Sequence, residues 1–134
     1  TTNLGRELDM ARAFLEIQQV RMGSRLAFSI DVPEPLKSRD FPPMMLISLV
    51  ENAVKHGIDP CCDCGSIRIR AREEEGRLRV SVADTGEGVV PQKGGGVGLA
   101  NIRERLKALY GASAPLVLEE NAPRGVVAAA EVPA

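Results

Sequence analysis

IRIRAREEEGRLRVSVADTGEG, Ile67–Gly88, is the stretch on which the fold turns. Ile67, Ile69 and Ala71 alternate with Arg68, Arg70 and Arg72, and Leu78, Val80 and Val82 alternate in the same way beyond Glu75-Gly76. Alternation of apolar and charged residues gives a strand one buried face and one wet face. Two such strands around a Glu-Gly turn predict an antiparallel hairpin. The second strand delivers Asp84 to its end, where DTGEG (Asp84–Gly88) begins.

Before the hairpin, MMLISLVENAVKH is too long and too rich in Met and Leu for a strand. Pro42-Pro43 suits the first turn of a helix, where a missing N–H costs little, and Gly57 suits its C-cap. Leu4, Leu8, Ala11, Leu15 and Met22 fall on one face of an earlier helix that ends near Gly23. Leu26, Phe28 and Ile30 alternate as a short strand, and Pro33, Pro35, Pro42 and Pro43 bracket the connection after it. Beyond the hairpin, Leu99, Ile102, Leu106 and Leu109 mark a helix from Val97 to Tyr110, stopped by Gly111. Strands over Leu116–Glu119 and Val126–Val132 complete the order. Helices on one face of a mixed, mainly antiparallel sheet is the natural packing, an α+β class. There are no repeats and no low-complexity tract.

The 134 residues suit one domain, 1–134, with a modest core built from Val, Ile, Leu, Ala and Met, since there are three Phe, one Tyr and no Trp. Seventeen basic residues against 18 acidic ones, with no long run of either sign, argue against broad adhesion to nucleic acid or anionic lipid. No apolar run approaches the roughly 20 residues of a bilayer span, and no signal peptide is visible. The chain starts inside a helical pattern without Met and so reads as a piece of something longer. Cys61, Cys62 and Cys64 make a poor disulfide framework, which fits a reducing cytoplasm. They also lack zinc-knuckle spacing, so a loop that carries thiols is preferred to a metal site with His56.

Three short stretches carry chemistry: ENAVKHG (Glu51–Gly57), DTGEG and GGGVGLAN (Gly94–Asn101). Asp84, followed by Gly86 and Gly88, stands where a strand becomes a turn, and glycines there let the backbone approach a flat ligand. A carboxylate in such a slot matches the exocyclic amine of adenine. On turn chemistry alone the same residues read first as a plain strand-to-helix turn. Gly94-Gly95-Gly96-Val97-Gly98 runs into a helix whose free N–H groups form an anion site. It is neither a dinucleotide-binding fingerprint nor a P-loop. A linker is the plainer reading, although linkers rarely run straight into an amphipathic helix. Asn52 sits in a helix that otherwise reads as core, where an amide is costly to bury unpartnered. Glu51, Asn52, Lys55 and His56 place oxygens and a cation along one helical edge. Such oxygens suit Mg²⁺ and Lys55 could neutralise phosphate, while Glu51 and Lys55 could equally be a surface ion pair. His56, the sole histidine, reads as a helix-end residue near the pocket rather than a phosphoacceptor.

Together these motifs resemble the ATP-binding domain of sensor histidine kinases, DNA gyrase B, the ninety-kilodalton heat-shock chaperone and MutL. The match is most similar to LytS/YehU-type histidine kinases, through Pro42–Gly57, GVGLANIRERLKALYG (Gly96–Gly111) and Glu7 to Arg21. It covers nearly the whole chain. The resemblance implies a two-layer α/β sandwich of the Bergerat type, with nucleotide between helices and sheet. By matching position it implies Asn52 as a Mg²⁺ ligand, Lys55 as a phosphate contact and Asp84 on the adenine amine. Gly86 and Gly88 would shape the floor, and Gly94, Gly96, Val97, Gly98 and Leu99 the phosphate side under a short lid, with His56 lining the pocket. Glu51 would orient or deprotonate an incoming imidazole, so Glu51 and Lys55 are the catalytic candidates.

The implied activity is transfer of the γ-phosphoryl of ATP to a histidine upstream of this chain. Residues 1–22 would then lead from a dimerisation and phosphoacceptor segment in a full-length homodimer. Further implied partners are a downstream response regulator and, for the parent protein, an inner membrane, this part being cytoplasmic without direct membrane contact. An ATPase or anti-sigma-type serine kinase on the same scaffold, and a non-catalytic nucleotide-sensing or docking module, are the alternatives. Ser48 stands where hydrolysing relatives carry a general-base Glu, which favours transfer over hydrolysis. Three departures stand out: Thr85 replaces Asn, Ile47-Ser48 replaces Gln-Pro, and Val126 replaces a Thr that supports the adenine-binding Asp.

Overall fold

The hairpin expected at Ile67–Asp84 forms the centre of the sheet. The computed structural model describes residues 2–23, 26–54, 65–85, 96–110, 116–120 and 126–133. Strands β4 (Gly65–Glu74) and β5 (Arg77–Asp84) pair antiparallel from Ile67↔Asp84 to Glu74↔Arg77. That register leaves a two-residue loop, with Glu75 at φ 51° and Gly76 at φ 75°. Positive φ at both positions is the type I′ turn that matches strand twist, and Gly76 adopts it at no steric cost.

Around the hairpin, β2 (Leu26–Asp31), β7 (Val126–Pro133) and β6 (Leu116–Glu120) complete a five-stranded sheet in the order β2-β4-β5-β7-β6. The β2–β4 pair is parallel and the others are antiparallel, so the sheet is mixed and mainly antiparallel as expected. Ile67, Ile69, Leu78, Val80, Val82, Ala128, Ala130 and Val132 are buried. By register they share one face. Helices α1 (Leu4–Met22), α2 (Met45–Asn52) and α3 (Gly96–Tyr110) cover that face in one continuous core, with Phe41, Leu46 and Leu49 among its fully enclosed side chains. The opposite face carries Arg68, Arg70, Arg72 and Arg79, with Arg79 ion-paired to Glu131 at 2.7 Å.

Helix α1 stops at Gly23 as expected, and the structure adds a cap at its start. The Asn3 side chain accepts the Arg6 N–H at 2.9 Å, and Gly23 closes the helix at φ 63°. An Ncap of this type is worth about 1 kcal/mol. Leu4, Leu8, Ala11, Leu15 and Met22 are its buried face.

The proline-rich connection is more structured than its sequence suggests. It holds a 3-10 helix, Glu34–Ser38, and a strand β3 (Asp40–Phe41) that pairs with β1 (Thr2–Asn3). The Arg39 guanidinium meets the Glu73 carboxylate at 3.0 and 2.6 Å and ties this connection to β4. Helix α2 also departs from expectation. It starts at Met45, so Pro42 and Pro43 precede its first turn instead of forming it. The cause is Met44, which is left-handed at φ 65° and turns the chain before the helix begins. The expected C-cap Gly57 lies outside the described residues.

Candidate nucleotide site

Asp84 ends β5 with 4% of its surface exposed, and Val80, Val82 and Asp84 share the face covered by helices. The carboxylate therefore belongs to the layer between helices and sheet. One residue on, the Thr85 N–H donates to the Ser66 carbonyl at 3.1 Å, and the Thr85 hydroxyl accepts the Ser66 N–H at 2.9 Å. Gly86 and Gly88 lie outside the described residues.

Asn52 is the last residue of α2, half-buried beside the enclosed Ala53 and Val54. Its side-chain oxygen is buried and has no hydrogen-bond partner among the described residues. A buried amide oxygen left without a partner costs roughly 1–3 kcal/mol, so such an atom calls for a partner beyond these residues. Glu51 beside it is exposed. Lys55 and His56 lie outside the described residues. Helix α2 packs on β5, so the Asn52 helix lies over the strand that ends in Asp84.

Helix α3 begins one residue earlier than its pattern predicts, at Gly96. Gly96 and Gly98, expected in the loop, therefore sit with Val97 and Leu99 in the first helical turn. There the N–H groups lack intrahelical partners and face any anion at the helix start. Gly94 lies outside the described residues. Helix α3 packs against α2 and β6. The expected metal, phosphate and adenine positions thus come from three neighbouring elements: α2, α3 and β5.

Three site features escaped the sequence reading. Glu7 is fully enclosed, and both of its oxygens accept backbone N–H groups at the start of α2. Arg105 on α3 donates to the Pro43 carbonyl and to the Ser48 hydroxyl. Thr85 locks the end of β5. Glu7 stands 37 residues from Met44, and Arg105 stands 57 from Ser48, so local pattern carries no sign of either contact.

A cavity of about 320 Å³ on the other face of the sheet is lined by Asp31, Arg70, Arg72, Arg79 and Ser81, and no expected nucleotide residue contributes to it. Among the described residues no helix is long and apolar enough to cross a membrane, and no cluster of His, Cys, Asp and Glu could hold a metal. Cys61, Cys62 and Cys64 lie outside the described residues.

Residues 39–134 match the family model described as histidine kinase-, DNA gyrase B-, and HSP90-like ATPase. The chain belongs to this ATPase family. Among family relatives, the sensor histidine kinase YpdA of Escherichia coli is 34% identical over an alignment of 119 residues that covers 81% of this chain and 21% of that protein. The sensor protein LytS of Enterococcus faecalis is 28% identical across 99% of this chain and 25% of its own length. The chain thus spans a fifth to a quarter of the length of these two relatives. The catalytic domain of histidine kinase ThkA superposes with a TM-score of 0.75 at 21% identity, over 98% of this chain and 95% of that one. At that identity the likeness establishes the fold, and the fold is that of a histidine kinase catalytic domain.

Proposed function

We propose that this chain is the ATP-binding catalytic domain of a sensor histidine kinase, which passes the γ-phosphoryl of ATP to a histidine elsewhere in the full-length protein. The observation that carries the reading is the buried Asn52 oxygen at the end of α2, which has no hydrogen-bond partner among the described residues. It fits a hard divalent cation, which takes oxygen ligands and leaves its remaining positions to phosphate and water. Mg²⁺, when bound, would supply neutralisation of charge on the nucleotide phosphates.

Asp84 accepts the adenine amine between helices and sheet. Lys55, Gly94 and the first turn of α3, Gly96–Leu99, hold phosphate oxygens, and His56 lines the pocket. Glu51, exposed beside Asn52, orients the incoming imidazole and takes its proton. The imidazole nitrogen forms a bond to the γ-phosphorus as the bond to the ADP oxygen breaks. Little covalent chemistry is asked of the protein, and positioning carries most of the rate.

Ser48 favours transfer over hydrolysis. Its hydroxyl stands one turn before Asn52, donates to the Met44 carbonyl at 2.7 Å and takes a bond from Arg105. It is neither a carboxylate nor free to activate water. The kinase ThkA has been solved in complex with the response regulator TrrA, and that structure matches this chain with a TM-score of 0.73. A response regulator is accordingly proposed as the downstream partner, and the helical acceptor segment of a homodimer as the upstream one. The parent protein is proposed to be a membrane sensor with this domain in the cytoplasm.

Incubation with Mg²⁺ and ATP labelled on the γ-phosphate tests the reading. The chain is expected to bind ATP without labelling itself. Stable label on His56 would overturn the placement of the acceptor elsewhere. Sustained phosphate release would point to hydrolysis, and no binding at millimolar nucleotide to a docking module.

A further inference from the structure

Helix α2 is held at its first turn from two sides by opposite charges. From α1, the Glu7 carboxylate accepts the Met44 N–H on Oε2 at 3.1 Å and the Leu46 N–H on Oε1 at 3.2 Å. From α3, Arg105 donates to the Pro43 carbonyl and, at 3.5 Å, to the Ser48 hydroxyl. Ser48 in turn donates to the Met44 carbonyl at 2.7 Å. One turn of one helix is thus gripped by side chains of both neighbouring helices.

A cap alone would not require this arrangement. Ser, Asp or Asn at position 44 would satisfy the same N–H groups locally. Here Met occupies the N-cap in a left-handed conformation, with no side-chain cap bond. Such a conformation is strained for a residue with a side chain and persists where the surroundings over-determine it. Enclosing a carboxylate is costly as well, unless its oxygens are bonded. What Glu7 adds over a local cap is a connection between helices. The negative charge also faces the positive end of the α2 dipole.

We propose that Glu7 and Arg105 are positioning residues: they set the axial register and rotation of α2 and so place the Asn52 oxygen for the divalent cation of bound nucleotide. The proposal rests on the reading of Asn52 given above. Leu46 and Asn52 are about 9 Å apart along the helix, a distance over which an α-helix moves as a rigid rod. A slip at the gripped turn therefore appears at Asn52. Arg105 lies on the helix whose first turn is Gly96–Leu99, so the same grip relates the metal position to the phosphate position.

The test is calorimetric titration of the chain with ATP, once with Mg²⁺ and once with chelator. It is run on wild type, Glu7→Gln and Arg105→Lys, alongside amide hydrogen exchange on the nucleotide-free proteins. Gln keeps one acceptor oxygen but sets an NH₂ against the other N–H, and Lys keeps the charge but loses the fork. Each variant is expected to weaken binding of Mg²⁺-ATP about 10- to 100-fold, as for loss of a group that orients a metal ligand. Metal-free ATP binding is expected to stay close to wild type. Exchange at Met44 and Leu46 should quicken in Glu7→Gln. Equal loss with and without Mg²⁺, or Mg²⁺-ATP binding unchanged in both variants, overturns the proposal. Should Glu7→Gln fail to fold, Arg105→Lys decides alone. A wild-type chain indifferent to Mg²⁺ would sink the reading of Asn52 itself, and the positioning role with it.

Discussion

Thr85 and Ser66 exchange two hydrogen bonds one residue beyond Asp84: the Ser66 N–H donates to the Thr85 hydroxyl at 2.9 Å, and the Thr85 N–H donates to the Ser66 carbonyl at 3.1 Å. The exchange extends the β4–β5 ladder past the Ile67↔Asp84 pair. Asp84 is therefore held in a pinned strand end rather than a frayed one. Thr serves here through its hydroxyl, which explains how the turn tolerates Thr in place of Asn.

Asp84→Asn should leave the ladder intact and weaken ATP binding by about 10- to 100-fold, the worth of a hydrogen bond to a charged group. Thr85→Val removes one bond and should lower unfolding stability by about 1 kcal/mol. Calorimetry and urea melts separate the two effects. An Asp84→Asn chain that binds ATP as well as wild type would refute the adenine contact.

Asn52→Ala should behave unlike most truncations of a half-buried residue. Its oxygen has no partner among the described residues, so no hydrogen bond from any of them to that oxygen is lost with it. Stability is expected within about 1 kcal/mol of wild type, or higher, because an unsatisfied buried acceptor is removed. The Mg²⁺-dependent part of ATP affinity should vanish. A large drop in thermal stability with Mg²⁺-ATP binding preserved would show that Asn52 is structural.

Tyr110 supplies a pH signature. Burial of its phenol, and then the Asp40 carboxylate, raise its pKa above the ordinary 10.0. Between the ordinary and the raised value the unfolded chain has lost this proton and the folded chain has kept it. The unfolded state then binds fewer protons, so stability falls as pH climbs through that window and is fully present below it. Urea midpoints followed from about pH 9 to about pH 11 should decline less in Tyr110→Phe than in wild type. Parallel declines would remove Tyr110 as the source.

The hairpin, α1 and the layer order are legible in the sequence because each rests on a local period. The turn at Glu75-Gly76 and the stop at Gly23 are likewise local chemistry. The start of α2 is not. Pro42-Pro43 reads as a first helical turn, yet Met44 turns left-handed before the helix, and the groups that hold it, Glu7 and Arg105, come from α1 and α3. The small β1–β3 pair and the 3-10 helix were hidden for the same reason, being too short to show a period. At the site, residue type foretold Asn52 as an anomaly and Asp84 as a strand-end acid. Sequence pattern had no means of showing that Glu7, placed on the buried face of an amphipathic helix, would be enclosed as a carboxylate.

Val126 gives the last prediction. Ala83 pairs with Val127 across β5 and β7, so the antiparallel register sets Val126 at the level of Asp84. The resemblance implies a Thr at this position, which supports the acid through its hydroxyl. Val offers no hydroxyl, whereas Thr keeps the β-branched shape that a strand favours and adds one donor. Val126→Thr should therefore raise ATP affinity roughly five-fold, the equivalent of one ordinary hydrogen bond, without a change in fold. The gain should disappear in the Asp84→Asn background, since the two residues would act through the same contact. A five-fold gain that survives in that background would place the effect of Thr elsewhere and detach Val126 from the adenine site.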